Sequence, residues 1–157
     1  MKQNNREKEA SLTFSEKEIN IAIDMKVKLK NIVDMLIYML DKTDTKFTII
    51  IIKAEYDKLY DFIVGTKRDS DILQPINEKM NLHAIICQDT TVDGGYMFAK
   101  RILKTLIKDK KVRDVTCVAV EVRTTRYKVR DIIYKAFELY INARYKSNLG
   151  EIKYHSL

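Results

Sequence analysis

Phe47-Thr48-Ile49-Ile50-Ile51-Ile52 is a short run of mainly β-branched residues in which polar and apolar positions do not alternate. A strand with one face in water alternates, whereas an unbroken apolar run is typical of a strand buried on both faces. We therefore expect a central strand with a packed layer on each side.

A helix is predicted on the N-terminal side of this strand. Ser15 and Glu18 have the spacing of a capping box, in which each side chain bonds the backbone N–H of the other residue. The helix is predicted over residues 15–41, after a flexible tail at residues 1–14. Its predicted inner stripe consists of Ile19, Ile23, Val27, Ile32, Leu36 and Leu40.

Helical and strand patterns alternate on the C-terminal side of the strand. A helix from about Tyr56 to Val64 ends at Gly65, and Pro75, the single proline, breaks regular structure before a strand at about Asn81–Gln88. The later predicted segments are a helix at about Asp93–Lys108 begun by Gly94-Gly95, a strand at Val112–Val120, a long helix capped by Thr124 or Thr125, and an edge strand within Gly150–His155. This alternation predicts an α/β protein, an α+β sandwich with crossover connections, in one domain over residues 15–157.

Composition excludes several classes of protein. The chain has 157 residues, of which 46% are apolar and 32% charged, as expected for one globular domain. No apolar run approaches the roughly 18 residues that span a bilayer, so we expect a cytoplasmic protein without membrane insertion. Cys87 and Cys117 lie in strand-like runs and are predicted to be buried free thiols. With His83 and His155 as the only histidines, neither a metal site nor a cofactor is expected.

Positive charge is concentrated in the C-terminal third of the chain. The formal net charge is +7, and residues 98–157 carry fifteen Lys and Arg against six Asp and Glu. Such a basic surface suits an anionic ligand, a nucleic acid or an acidic partner, although it also occurs as an ordinary solvated helix face.

Arg68-Asp69-Ser70-Asp71 is the one Arg-x-x-Asp tetrapeptide of the chain. An arginine fork can donate to the O6/N7 edge of guanine while a nearby carboxylate accepts from its N–H groups. The residue types therefore suggest recognition of a nucleotide. The alternative is a surface salt bridge without a ligand.

Four strings in the same order resemble the GGDEF domain of diguanylate cyclases over roughly residues 20–155. They are Arg68-Asp69-Ser70-Asp71-Ile72-Leu73, Ala84-Ile85-Ile86-Cys87-Gln88-Asp89-Thr90, Ala99-Lys100-Arg101-Ile102, and Ala136-Phe137-Glu138-Leu139-Tyr140 with Ala143-Arg144 before Asn148. The resemblance implies a nucleotidyl-cyclase-like fold, with a ferredoxin-like βαββαβ core and an added N-terminal helix.

The chain departs from the family where catalysis would occur. Depending on the frame, the Gly-Gly-Asp/Glu-Glu-Phe signature is replaced by Lys79–His83 or by Asn77–Asn81, and neither frame keeps the glycines or the acidic pair. Lys53 stands where the family has its first metal-binding Asp, and an ammonium group repels Mg²⁺. We therefore expect no catalytic residues, no metal site and no enzyme activity.

The resemblance implies that the inhibitory site of the family is what remains. In the family this site binds cyclic di-GMP, and Arg68 and Asp71 match its Arg-x-x-Asp. Arg101 matches its second arginine, with Lys100 as the alternative. The first hypothesis is thus a catalytically inactive cyclic di-GMP receptor that signals through a protein partner or a homodimer.

Other functions are kept as alternatives. In the second hypothesis the domain has lost nucleotide binding and serves as a protein-interaction scaffold, for which the N-terminal helix offers a docking or dimerising surface. Nucleic-acid binding by the basic third ranks lower, because the strand near residues 112–122 exposes no aromatic pair. Residual cyclase activity ranks last.

Overall fold

A five-stranded mixed sheet and four α-helices form the part of the protein that the structure, a computed structural model, describes, residues 13–157. The elements in chain order are α1 (Glu16–Thr43), β1 (Phe47–Ala54), α2 (Leu59–Thr66), β2 (Ile72–Asn77), β3 (Leu82–Gln88), α3 (Val92–Lys104), a π-helical turn (Thr105–Asp109), β4 (Val115–Val122), α4 (Val129–Lys146) and β5 (Ile152–Ser156). The prediction of an α+β fold is confirmed.

The strands lie in the order β2-β3-β1-β4-β5. Strand β1 pairs antiparallel with both β3 and β4, β2 pairs antiparallel with β3, and β5 is parallel to β4. The segment from β1 to β4 therefore consists of two interleaved split β-α-β units, a topology described as ferredoxin-like. The predicted C-terminal edge strand is present as β5.

Strand β1 is buried on both faces, as predicted. Ile49 and Ile51 belong to the apolar cluster that α1 and α4 cover, whereas Ile50 and Ile52 belong to the cluster that α2 and α3 cover. All four side chains are fully buried. At about 1.5–3 kcal/mol for each buried isoleucine, this one strand couples the two helical layers into one core.

The predicted inner stripe of α1 is wrong in its N-terminal half. Ile19, Ile23 and Val27 are 49%, 53% and 68% exposed. The buried side is instead formed by Ile21, Met25, Leu29, Val33, Leu36 and Leu40. The helix carries two apolar stripes with similar spacing, and the sequence pattern does not tell which of them faces the sheet.

Three predicted boundaries also differ. Pro75 does not interrupt regular structure but lies inside β2, an edge strand, next to a register shift, where a residue without an N–H is tolerated. Helix α2 continues past Gly65, and α4 begins at Val129 rather than at Thr124 or Thr125. The expected capping box of Ser15 and Glu18 is confirmed. Of the predicted N-terminal tail, residues 1–12 lie outside the described part of the chain, and Phe14 packs on Phe137 with ring centroids 5.4 Å apart.

Gly95 lets α3 lie directly against the sheet. A Cβ atom at this position would lie 2.7 Å from Cγ2 of Thr48, a residue of the central strand. At Gly65 in α2, by contrast, a Cβ atom would meet no other described atom within 4 Å. Both glycines are helical, so they form a matched pair that separates close packing from helix propensity.

We predict that Gly95→Ala lowers the free energy of unfolding by about 1–2 kcal/mol, because the clash outweighs the gain in helix propensity. Gly65→Ala should raise it by about 0.5–1 kcal/mol. Urea denaturation followed by circular dichroism measures both values. Equal effects of the two substitutions would contradict the close approach of α3 to β1.

Candidate ligand-binding site

Arg68 and Asp71 form a closed pair at the beginning of β2. The Asp71 carboxylate accepts hydrogen bonds from the Arg68 backbone N–H at 2.9 Å, from Nε at 3.1 Å and from Nη2 at 2.8 Å. The backbone N–H of Asp71 in turn donates to the carbonyl of Arg68 at 3.0 Å. The spacing of three residues thus makes a compact turn in which the fork of the arginine grips the carboxylate.

The guanidinium group of Arg68 also ties this turn to the end of β3. Its Nη2 donates to the carbonyl of Gln88 at 3.0 Å and to Oγ1 of Thr90 at 2.7 Å. The side-chain amide of Gln88 completes the connection, because its Nε2 donates to the backbone carbonyl of Ser70 at 2.8 Å. Neither Gln88 nor Thr90 was singled out from the sequence as a supporting residue, because only the antiparallel β2–β3 pairing brings residues 20 positions apart together.

The two members of the pair differ sharply in exposure. The side chain of Asp71 is 2% exposed, whereas that of Arg68 is 55% exposed. Both carboxylate oxygens of Asp71 already accept from Arg68. In this arrangement Asp71 orients the arginine. If Asp71 is to accept hydrogen bonds from guanine, as the sequence suggested, the Arg68–Asp71 pair must first open. More than half of the Arg68 side chain is thus accessible to solvent, whereas the Asp71 carboxylate is not.

Arg101 lies on α3, the helix that follows β3 and Thr90. Its side chain is exposed, and its guanidinium carbon lies 5.8 Å from the centre of the Phe98 ring. Within residues 13–157 no hydrogen bond or ion pair joins Arg101 to Arg68 or Asp71. Lys100 and Lys104 are exposed on the same helix, so α3 carries three exposed basic side chains.

The opposite end of β1 holds a basic and acidic cluster. Arg144 donates two hydrogen bonds to Asp114, and Lys53 Nζ lies 3.8 Å from an Asp114 oxygen. Burial, then the charge of Arg144, lowers the pKa of Lys53, and the hydrogen bonds from Arg144 lower the pKa of Asp114. Among residues 13–157, no group of three or more His, Cys, Asp or Glu side chains is arranged to hold a metal ion.

The β2–β3 hairpin closes over this end through Asn81. The Asn81 amide donates to the carbonyls of Ala54 and Tyr56 at 2.9 Å and 2.6 Å, so its Oδ1 accepts from Nε2 of His83 at 2.8 Å. His83 therefore carries its proton on Nε2. Its Nδ1 is buried and has no hydrogen-bond partner among the described residues.

Cys87 and Cys117 are buried and unpaired, as predicted. Burial raises the pKa of each thiol to about 12, and the nearby Asp71 adds to the effect at Cys87. A thiol with so high a pKa is a poor nucleophile.

Comparisons with known proteins do not assign the chain to a family. No protein-family model matches it, and no curated protein matches it significantly. In the described part of the chain, no helix is long and apolar enough to cross a membrane. The function is therefore inferred from the residues and their geometry.

We predict that Arg68→Ala lowers the free energy of unfolding by about 2 kcal/mol, because it removes the guanidinium hydrogen bonds to the buried Asp71 carboxylate and keeps only the backbone N–H bond from residue 68. Arg123→Ala is the matched control. Arg123 is likewise 55% exposed and faces a carboxylate, Glu121, that is 2% exposed, with 3.6 Å between the charged atoms. Glu121 also accepts from Val92 N–H and Ser156 Oγ, each at 2.5 Å, so its loss of Arg123 should cost less than about 1 kcal/mol.

Urea denaturation of both variants measures this difference. An equal loss in the two variants would contradict the role of Arg68 as the principal partner of Asp71.

We predict that protein stability falls as pH drops from 7 to 5, in part through His83. Burial lowers the pKa of His83 below its unfolded value of about 6.5, because an added proton on Nδ1 would have no acceptor. The contribution of His83 is therefore fully present above about pH 6.5 and is lost as pH falls through the folded pKa.

The free energy of unfolding, measured at pH 5, 6 and 7 for wild type, His83→Gln and His155→Gln, tests this prediction. His155 is included because burial also lowers its pKa. The pH dependence should be shallower in His83→Gln than in wild type. An unchanged slope in His83→Gln would contradict a contribution of His83 to the pH dependence of stability.

Proposed function

We propose that this chain is a catalytically inactive, GGDEF-like domain that acts as a cyclic di-GMP receptor in the cytoplasm. Arg68 and Arg101 would contact the ligand, and Asp71 would hold Arg68 in place. The observation that carries the proposal is the Arg68 guanidinium group, which is fixed by Asp71, Gln88 and Thr90 while more than half of its side chain stays exposed.

A fixed and exposed arginine suits recognition of an anionic nucleotide. Its orientation is set before the ligand arrives, so little conformational entropy is lost on binding. The free face of the planar group can stack on a base or donate to a phosphate. Arg101 on α3 adds a second guanidinium group, with the exposed Lys100 and Lys104 beside it. These cations complement the two phosphates of cyclic di-GMP.

The arrangement of the elements is compatible with a nucleotidyl-cyclase-like fold. One helix, α2, connects β1 to β2, and the Arg-x-x-Asp turn begins β2 directly before the β2–β3 hairpin. The hairpin contains Glu78–Asn81 in place of a glycine-rich signature. At the end of β1, Lys53 is paired with Asp114, which favours a non-catalytic domain.

The cytoplasmic location is supported by the cysteines. Cys87 and Cys117 are both buried free thiols, which is typical of proteins from a reducing compartment. A soluble messenger that carries two guanines and two phosphates would act there. Binding would then be passed to a protein partner or to a second copy of the domain.

Isothermal titration calorimetry with cyclic di-GMP tests the proposal. Wild type should bind with a Kd of about 1 µM or tighter, and Arg101→Ala should weaken binding at least about tenfold. Arg68→Lys should do the same, because it keeps a cation beside Asp71 but loses the planar fork. Arg126→Ala, which removes an exposed arginine from the β4–α4 loop, is the charge-matched control and should bind like wild type.

Absence of heat with folded wild-type protein at high ligand concentration would contradict the proposal. An equal loss of affinity in Arg126→Ala and Arg101→Ala would contradict the site and indicate nonspecific attraction to the net positive charge. Circular dichroism at the titration temperature shows that each variant is folded.

A protein-interaction scaffold that no longer binds nucleotide is the second candidate. One observation favours it: Asp71 is buried and both of its oxygens are already engaged by Arg68. A guanine that needs the carboxylate must first break this pair. If the domain is a scaffold, the Arg68 turn serves to stabilise the edge of the sheet, and the titration with cyclic di-GMP gives no heat.

A further inference from the structure

Helix α1 exposes an apolar stripe that the rest of residues 13–157 does not cover. Ile19, Ile23 and Val27 are 49%, 53% and 68% exposed, one helical turn apart. Beside them, α1 and α4 form an apolar groove of about 310 Å³, lined on the α4 side by Ile133, Tyr134 and Phe137. A single exposed apolar side chain is common, but three at successive helical turns, of which Ile19 and Ile23 line an apolar groove, indicate an interaction surface.

Two opposite charges flank this stripe at equal distances from its centre. Glu16 lies seven residues before Ile23 and Lys30 seven residues after it. At about 100° per residue, all five side chains lie within an arc of about 80° on the helix. Both Glu16 and Lys30 are exposed, and neither forms an ion pair or side-chain hydrogen bond with another residue of the described chain.

The pattern is self-complementary when two such helices run antiparallel. With a two-fold axis at Ile23, Ile19 lies opposite Val27 of the partner subunit, and Glu16 lies opposite Lys30 of the partner subunit. The two-fold axis repeats each contact, so the interface contains two Glu–Lys pairs around an apolar centre. A surface that matches itself in this way is what an isologous dimer requires.

We infer that two copies of this chain associate through antiparallel α1 helices centred on Ile23. The interface is independent of the proposed nucleotide binding, because it uses no residue of the Arg68 turn or of α3. Residues 1–12 are a poorer occupant of the same surface, since they offer only Met1, Ala10 and Leu12 as apolar side chains and have no helical apolar spacing. A different partner protein would not require the symmetric placement of Glu16 and Lys30.

Sedimentation equilibrium with charge reversals tests the dimer. Wild type should form a concentration-dependent dimer, and Glu16→Lys or Lys30→Glu alone should each raise the dissociation constant about tenfold or more, because each places two like-charge pairs in the interface. The double variant Glu16→Lys with Lys30→Glu should recover the wild-type value. Loss of affinity in both single variants is the result that a general change of net charge cannot give, because the two substitutions alter the net charge in opposite directions.

Substitutions at apolar positions give the second part of the test. Ile23→Asp should abolish the dimer, whereas Val64→Asp, at a residue of α2 that is 47% exposed, should leave it intact. Ile23→Cys should give a disulfide-linked dimer when an oxidant such as oxidised glutathione converts the two facing thiols to a disulfide. The native Cys87 and Cys117 are buried and should not react.

Three results would overturn the inference. Wild type that remains monomeric at several hundred micromolar excludes the dimer. A dimer that persists in folded Ile23→Asp places the interface elsewhere. Failure of the double charge swap to restore the affinity that the single reversals lose excludes the antiparallel register. Each result leaves the binding of cyclic di-GMP, measured separately, unaffected.

Discussion

Burial of β1 on both faces is the constraint on which the rest of the structure depends. Four successive isoleucines, Ile49–Ile52, point alternately to opposite sides and are all fully buried. Each face of the sheet must then be covered, by α1 and α4 on one side and by α2 and α3 on the other. Gly95 belongs to this constraint, because without a side chain there α3 can approach Thr48 closely.

The same arrangement determines where polar chemistry can lie. The middle of β1 is occupied by apolar packing, so charged groups collect at its two ends. At the end of β1 and the start of β4, Lys53, Asp114 and Arg144 satisfy one another. Near the C-terminal end of β3, the Arg68 turn is bonded inward to Asp71 and keeps an exposed side. This difference makes the second region the candidate for binding a ligand.

Features that depend on a few adjacent residues could be predicted from the sequence, whereas features that depend on tertiary packing could not. The central strand and the capping box of Ser15 and Glu18 were predicted correctly, because each is written in a few adjacent residues. The buried side of α1 was not, since two apolar stripes compete and only the tertiary packing selects between them. Strand β2 was missed because Pro75 looks like a breaker unless the strand is known to lie at an edge.

The candidate site shows the same limit. Arg and Asp at a spacing of three indicated an interaction, but the sequence did not show whether Asp71 bonds Arg68 or a ligand. Whether Asp71 faces a ligand or Arg68 depends on its burial, which Gln88 and Thr90 help to create from a distant part of the chain. The sequence therefore predicted that Arg68 and Asp71 act together, but not that Asp71 is buried against Arg68.

The most direct test is an NMR titration of the ¹⁵N-labelled protein with cyclic di-GMP, with GMP as the control nucleotide. We expect saturable shifts in the amides of residues 67–71, 88–91 and the exposed face of α3, and none at the Glu78–Asn81 hairpin or at Lys53. No saturable shift, or shifts centred on the hairpin and Lys53, would contradict the claim that this domain is a cyclic di-GMP receptor acting through Arg68 and Arg101.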